Sequence, residues 1–145
     1  MYELDDSPEG FAWINGSDAE HNMLTFCRMT KDKKNCLLCH FNFSPVAYEN
    51  FQSGVLCPGT YTEVFNSNAA EYGGTGLVNS EPIEAVKESW DFKDYSIKYH
   101  LGAYGVCIFK FDYVRTLSRK NHRNRRDAIP KKIFTNWPVI YKKVK

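Results

Sequence analysis

Apolar and polar side chains alternate with a period of two along much of this chain. Tyr95, Ile97, Tyr99 and Leu101 are interleaved with Ser96, Lys98 and His100, and Cys107, Phe109, Phe111 and Tyr113 with Val106, Ile108, Lys110 and Asp112. Successive side chains of a strand point to opposite faces, so this pattern predicts strands over 95–101 and 106–113. Tyr61, Glu63 and Phe65 alternate in the same way with Thr60, Thr62 and Val64 after a Pro58-Gly59 turn. Met23–Thr30 and Asn35–Phe43 have the length and composition of strands, and the polar run Lys31–Lys34 joins them as a hairpin stopped by Pro45. Further strands are expected over Tyr48–Val55 and Ile83–Val86. Ser7-Pro8-Glu9-Gly10 carries a cap residue and an early proline, which predicts a short helical turn anchored by Phe11, Trp13 and Ile14. Asn15–Asp18 reads as a loop, and Ser67–Ser80, with Gly73, Gly74 and Gly76, as a long one. The sum is an all-β fold: an antiparallel β-sandwich of Greek-key type with about seven to eight strands and a short N-terminal helical turn.

Composition sharpens this in two ways. Ten Phe, nine Tyr and three Trp among 145 residues is an aromatic content that suits strands. The net charge of +2 conceals a split: residues 1–114 hold 8 Lys/Arg against 16 Asp/Glu, a net −8, and residues 115–145 hold 11 against one, a net +10. The break divides the sandwich from a basic C-terminal tail, expected to be partly disordered. No apolar run is long enough for a membrane helix, and the acidic start Met1–Asp6 lacks the cationic and apolar regions of a signal peptide, so a cytoplasmic location is expected.

Candidate chemistry is sparse. The five cysteines are expected to be free thiols. Cys36-x-x-Cys39 has a spacing used by zinc and redox sites, but on a strand those positions face opposite ways, so they read as buried small hydrophobes and no metal is expected. His21, His40, His100 and His122 are scattered without partner spacing, and no phosphate loop or nucleophile elbow occurs. No catalytic residue and no cofactor site is assigned.

Five blocks point further. Pro8–Ile14, Cys39-His-Phe-Asn-Phe-Ser-Pro-Val46, Tyr48-Glu-Asn-Phe51 with Gly54-Val55, Pro58–Ser67, and Tyr72-Gly-Gly-Thr-Gly-Leu-Val-Asn79 occur in one order over residues 1–113. Together they resemble the C-terminal domain of bacterial glycogen branching enzymes, members of the α-amylase superfamily. The resemblance implies a fragment of a 1,4-α-glucan branching enzyme, a glycosyltransferase of glycogen biosynthesis. Catalysis in that family is of the retaining, two-carboxylate kind on a (β/α)₈ barrel, upstream of anything matched here. The chain then divides into a junction to the barrel over 1–20, the sandwich over 21–114 and the basic extension over 115–145.

On this reading the partner is the catalytic barrel of the same enzyme, with Phe11, Trp13, Tyr72, Gly73 and Gly74 as docking candidates. The loop carrying the last three is expected to be mobile without the barrel. An α-glucan is the second expected partner, since sugars stack on exposed rings. Tyr61, Tyr72 and Trp90 are the candidates for that contact, while Phe26, Phe41, Phe43 and Phe109 read as core. The alternative is a stand-alone binding module for glucan or, through Arg119–Arg126, for nucleic acid. No aromatic is interleaved in that basic run, so nucleic acid is not the expected partner.

Overall fold

The computed structural model describes residues 2–31 and 35–112. Eight strands follow in chain order: β1 (Phe11–Asp18), β2 (Met23–Met29), β3 (Cys36–Asn42), β4 (Tyr48–Val55), β5 (Thr60–Asn66), β6 (Ile83–Glu84), β7 (Tyr95–Leu101) and β8 (Val106–Asp112). Single 3₁₀ turns cover Tyr2–Leu4, Pro8–Gly10 and Ala70–Tyr72. All pairings are antiparallel, in a six-stranded sheet ordered β1-β2-β3-β8-β5-β6 and a two-stranded sheet β4-β7. The chain therefore crosses between layers after β3, β4, β6 and β7, as a Greek-key sandwich requires. The all-β sandwich is as the alternation predicts. The basic extension, 115–145, lies outside the described residues.

Strand β1 was not anticipated. The helical turn ends at Gly10, and Asn15–Asp18, which reads as a loop, continues a strand paired to β2. Its loop-like residues serve irregularities in register after Trp13 and Asn15. Gly16 lies under the Trp13 ring, where a Cβ would come within 2.9 Å of the indole. The sandwich thus reaches back to Phe11 rather than beginning at residue 21.

The core lies between the layers. Cys27, Leu38, Cys107, Phe109 and Phe111 of the large sheet meet Val55, Ile97, Tyr99 and Leu101 of the small one, all essentially inaccessible. Burial of such side chains is the main favourable term, about 1.5–3 kcal/mol for each large aliphatic or aromatic group.

Crossing between layers interrupts the backbone ladders, and a buried asparagine closes the gap at one corner. Asn42, at the end of β3, donates through Nδ2 to the carbonyls of Val46 (2.8 Å) and Gly102 (2.9 Å). Its Oδ1 accepts from the Ser44 amide (2.9 Å) and hydroxyl (2.8 Å). One side chain thereby ties the β3–β4 crossing to the β7–β8 crossing, and the Tyr104 amide adds a bond to the Ser44 carbonyl at 2.9 Å. Asn79 acts similarly on β7: its Oδ1 accepts from the His100 amide (2.7 Å) and its Nδ2 donates to the His100 carbonyl (2.9 Å).

Asn42→Asp keeps the size of the side chain but sets a second acceptor against two carbonyls. It is expected to cost about 3 kcal/mol, through buried groups left without partners. The check is the urea midpoint at unchanged m-value; a loss below about 1 kcal/mol would show that the crossings are held by other means.

Candidate functional site

The interior offers no reacting centre among the described residues. His40 is buried, with Nδ1 2.7 Å from both Thr25 Oγ1 and Tyr99 Oη and its ring edge-on to Phe51. Burial lowers its pKa to about 3, against a smaller opposing effect of Asp18. The imidazole is therefore neutral, closed off from solvent and structural. The thiols are equally quiet. Burial pushes Cys39 up to about 11 and Cys57 and Cys107 to about 12, while Cys27 is raised by its hydrogen bond with Cys36 and then by burial. Protonated thiols are poor nucleophiles and poor ligands. Cys36 belongs to the core, whereas Cys39 falls on the opposite face of β3, so the pair does not converge. Among the described residues no three His, Cys, Asp or Glu side chains gather as metal ligands.

The candidate surface is the outer face of the six-stranded sheet. Antiparallel sheets commonly keep one face polar and solvated. Here two outward rows are apolar, while the row beside them sets Arg28, Leu37, Lys110 and Thr62 across β2, β3, β8 and β5. The strand registers set Trp13, Phe26, Cys39, Ile108 and Phe65 side by side across β1, β2, β3, β8 and β5. Leu24, Phe41 and Val106 form the adjoining row. The rings touch in series: Phe11 stacks on Phe26 at 5.0 Å, Phe26 on Phe41 at 5.7 Å, and Phe41 on Phe43 at 6.2 Å. Trp13 meets Phe11 and Phe26 edge-on. Trp13 and Phe43 remain about half exposed, at 52% and 49%. Phe109 is core as expected, but Phe26, Phe41 and Phe43 belong to this face. Alternation separates two faces without saying which is inside, and here both carry apolar rows.

At the β5 end of the face, Tyr72 leans on Phe65 with ring centroids 5.6 Å apart, and both are exposed. The loop that carries Tyr72 is scaffolded from within. Asn68 bonds Thr75 through both ends of its amide (2.9 and 3.1 Å) and receives the Gly76 amide on its carbonyl (2.8 Å). Asn66 reaches the Leu77 carbonyl, and Glu63 holds Asn79. Gly73 (φ 80°) and Gly76 (φ 83°) are left-handed, and a Cβ on Gly74 would lie 2.2 Å from the Asn68 carbonyl oxygen. The glycines are thus accounted for within the domain, and the mobility expected of this loop is not what its bonding describes.

Of the glucan candidates, Tyr61 is misplaced. It is 2% exposed, packs on Phe111 and donates its hydroxyl to the Cys57 carbonyl at 3.0 Å. Its strand phase, shared with Glu63, faces inward. Tyr72 and Trp90 are exposed. Trp90 opens a two-residue turn, with Trp90 and Lys93 exchanging both backbone bonds. The turn is pinned by Asp91, whose carboxylate accepts from Asn15 Nδ2 (2.9 Å) and from the Gly54 amide (2.8 Å). Phe92 stands at its tip, unmarked in the sequence because turn chemistry is usually sought at glycine or asparagine.

This architecture is an all-β sandwich with aromatic rows on its outer sheet face. The chain belongs to the family described as alpha amylase, C-terminal all-beta domain, whose model matches residues 13–112. It is similar to the 1,4-alpha-glucan branching enzyme GlgB of Butyrivibrio fibrisolvens, 38% identical over 80% of this chain and 18% of that protein. The GlgB 2 enzyme of Clostridium perfringens strain 13 is 39% identical over 76% of the chain and 17% of that protein. GlgB of Bacillus cereus strain AH187 is 30% identical over 94% of the chain, a share that includes part of residues 115–145, and 20% of that protein. The chain spans about a fifth or less of the length of these relatives.

His40 makes a pH dependence. Its neutral form is favoured by folding, while the unfolded imidazole protonates near 6.5. Stability from this group is complete above pH 6.5 and falls below it by up to roughly 1.4 kcal/mol per pH unit, levelling only near 3. Urea titrations between pH 7 and 4 are expected to show a shallower acid loss in His40→Gln than in the wild type. Parallel slopes would exclude His40 as the source.

Proposed function

We propose that this chain acts as the non-catalytic C-terminal domain of a 1,4-α-glucan branching enzyme, supporting the catalytic barrel through the outer face of its six-stranded sheet. The observation that carries the reading is a sheet whose outer face, like its inner one, holds contiguous apolar rows. Its inner face is satisfied by β4 and β7. The outer row from Trp13 to Phe65 has no second layer over it within the described residues. A contiguous patch of this kind in a soluble protein marks an interaction site. The relatives supply the occupant: each extends far beyond the matched segment and is named for an activity that needs a catalytic domain. A large flat aromatic face suits permanent packing against another domain of one polypeptide, since obligate interfaces resemble a divided core.

No residue of this chain enters the bond exchange on this reading. Its contribution is to bury the barrel's matching surface and hold the two units in fixed orientation. A stand-alone role is not favoured, because it would leave this face in water.

Two measurements test the proposal. Incubated alone with amylose, the chain is expected to give no change in iodine-stained spectrum, and new branches would refute a non-catalytic role. Grafted in place of the corresponding domain of the Butyrivibrio enzyme, it should give a folded chimera. Trp13→Ser with Phe43→Ser should lower that chimera's melting temperature by several degrees more than it lowers the isolated chain's. Equal melting of the two chimeras would remove the docking role.

A further inference from the structure

We propose that the Trp90–Lys93 turn is an α-glucan contact point, with Trp90 and Phe92 as stacking platforms held out from the domain. The inference rests on the branching-enzyme reading for the identity of the sugar, and on its own geometry for the site.

A two-residue turn with both central residues at positive φ is the type I′ hairpin turn, usually built with Asn-Gly or Asp-Gly. Asp91 (φ 50°) and Phe92 (φ 58°) occupy those positions. Aspartate tolerates this conformation; for phenylalanine it is an outlier. Glycine would sit there without strain. Phe92 is nevertheless fully exposed, at 104%, so its ring gains no packing within the domain to offset the backbone cost. Strain of this kind persists where the surroundings over-determine it, and it gathers at functional sites. The surroundings here do so. Asp91 is held from two strands, Asn15 of β1 and Gly54 of β4. Gly54 also admits the turn itself, since a Cβ there would lie 2.3 Å from the Trp90 carbonyl oxygen.

The chemistry around the rings differs from that of the sheet face. Trp90, 45% exposed, and Phe92 are set among Glu88, Ser89, Lys93 and Asp94, side chains that exchange hydrogen bonds with hydroxyls. Separate rings bordered by donors and acceptors match a pyranose, whose C–H face stacks on an aromatic and whose rim is hydroxylated. A docking surface for protein would continue the apolar area, as the outer sheet face does. The relatives are named for action on α-1,4-linked glucan, so the sugar chain is taken to be that polymer.

The test is native electrophoresis of the full 145-residue chain in gels with and without glycogen, together with calorimetric titration with maltoheptaose. The wild type is expected to be retarded by glycogen. Phe92→Gly should weaken binding roughly 2- to 10-fold while melting at the same or a higher temperature, because it relieves the left-handed strain. Trp90→Ala should weaken binding by a similar factor, and Phe92→Tyr should retain it. Absence of retardation in the wild type, or equal retardation of Phe92→Gly, would overturn the proposal. So would a lower melting temperature of the Phe92→Gly chimera with glycogen binding unchanged, which would make the tip a docking knob. None of these outcomes depends on the Trp13 and Phe43 comparison, so the two readings fail separately.

Discussion

The hydrogen bonds of Asn42 are what allow this chain to be a sandwich. A strand that leaves one sheet for another abandons its ladder, and each buried amide or carbonyl left alone costs about 1–3 kcal/mol. Two such departures, from β3 and into β8, meet at the same corner, and one carboxamide with two donors and two acceptor lone pairs satisfies both. No apolar side chain can do this. The Asn-Phe-Ser-Pro-Val stretch is therefore a corner device: Asn42 bonds, Ser44 receives the turn and Pro45 prevents the strand from continuing.

With its corners closed, the small sheet covers only one side of the large one. That imbalance shapes what the domain can do. Polar chemistry that enters the core is neutralised there: His40 is uncharged, burial keeps the Cys39, Cys57 and Cys107 thiols protonated and Tyr61 is spent on a carbonyl. The outer face of the large sheet gathers apolar side chains from five strands, and its extent follows from register. A slip of one residue between β2 and β3 would put Phe26 and Phe41 on opposite faces and break the row.

Much of this was legible in the chain. Strands over 60–66 and 95–101 fall where period-two patterns place them, and those over 23–29 and 36–42 where length, composition and the polar hairpin turn do. The resemblance of ordered blocks pointed to the domain family. The failures share a cause, which is that sequence pattern gives alternation without phase. Tyr61 and Phe65 lie on one predicted face, yet the bulge after Glu63 sends Tyr61 inward and Phe65 outward. Asn15-Gly16 reads as a turn because its tertiary role, making room for an indole and pinning Asp91, leaves no local trace. Phe92 carries no mark at all, since only its φ distinguishes it.

Asn15 joins the two surfaces. Strand β1 presents Trp13 to the outer face and, two residues on, uses the Asn15 amide to hold the Asp91 carboxylate. The strained turn therefore does not hang freely from β7. Its position is referred to the edge of the same sheet whose face is proposed to seat the barrel. Gly54 supplies the second tie from the opposite layer, so the turn is braced against both sheets at once. A loop merely connecting β6 to β7 has no need of such bracing, and two glycine-like positions would satisfy it at lower backbone cost. Rigid suspension between two layers is what is required if a ring must be presented at a set distance and angle from a neighbouring unit. In that arrangement the sandwich acts as a spacer: one face determines where the domain sits, and the bracing of Asp91 determines where Trp90 and Phe92 sit relative to it.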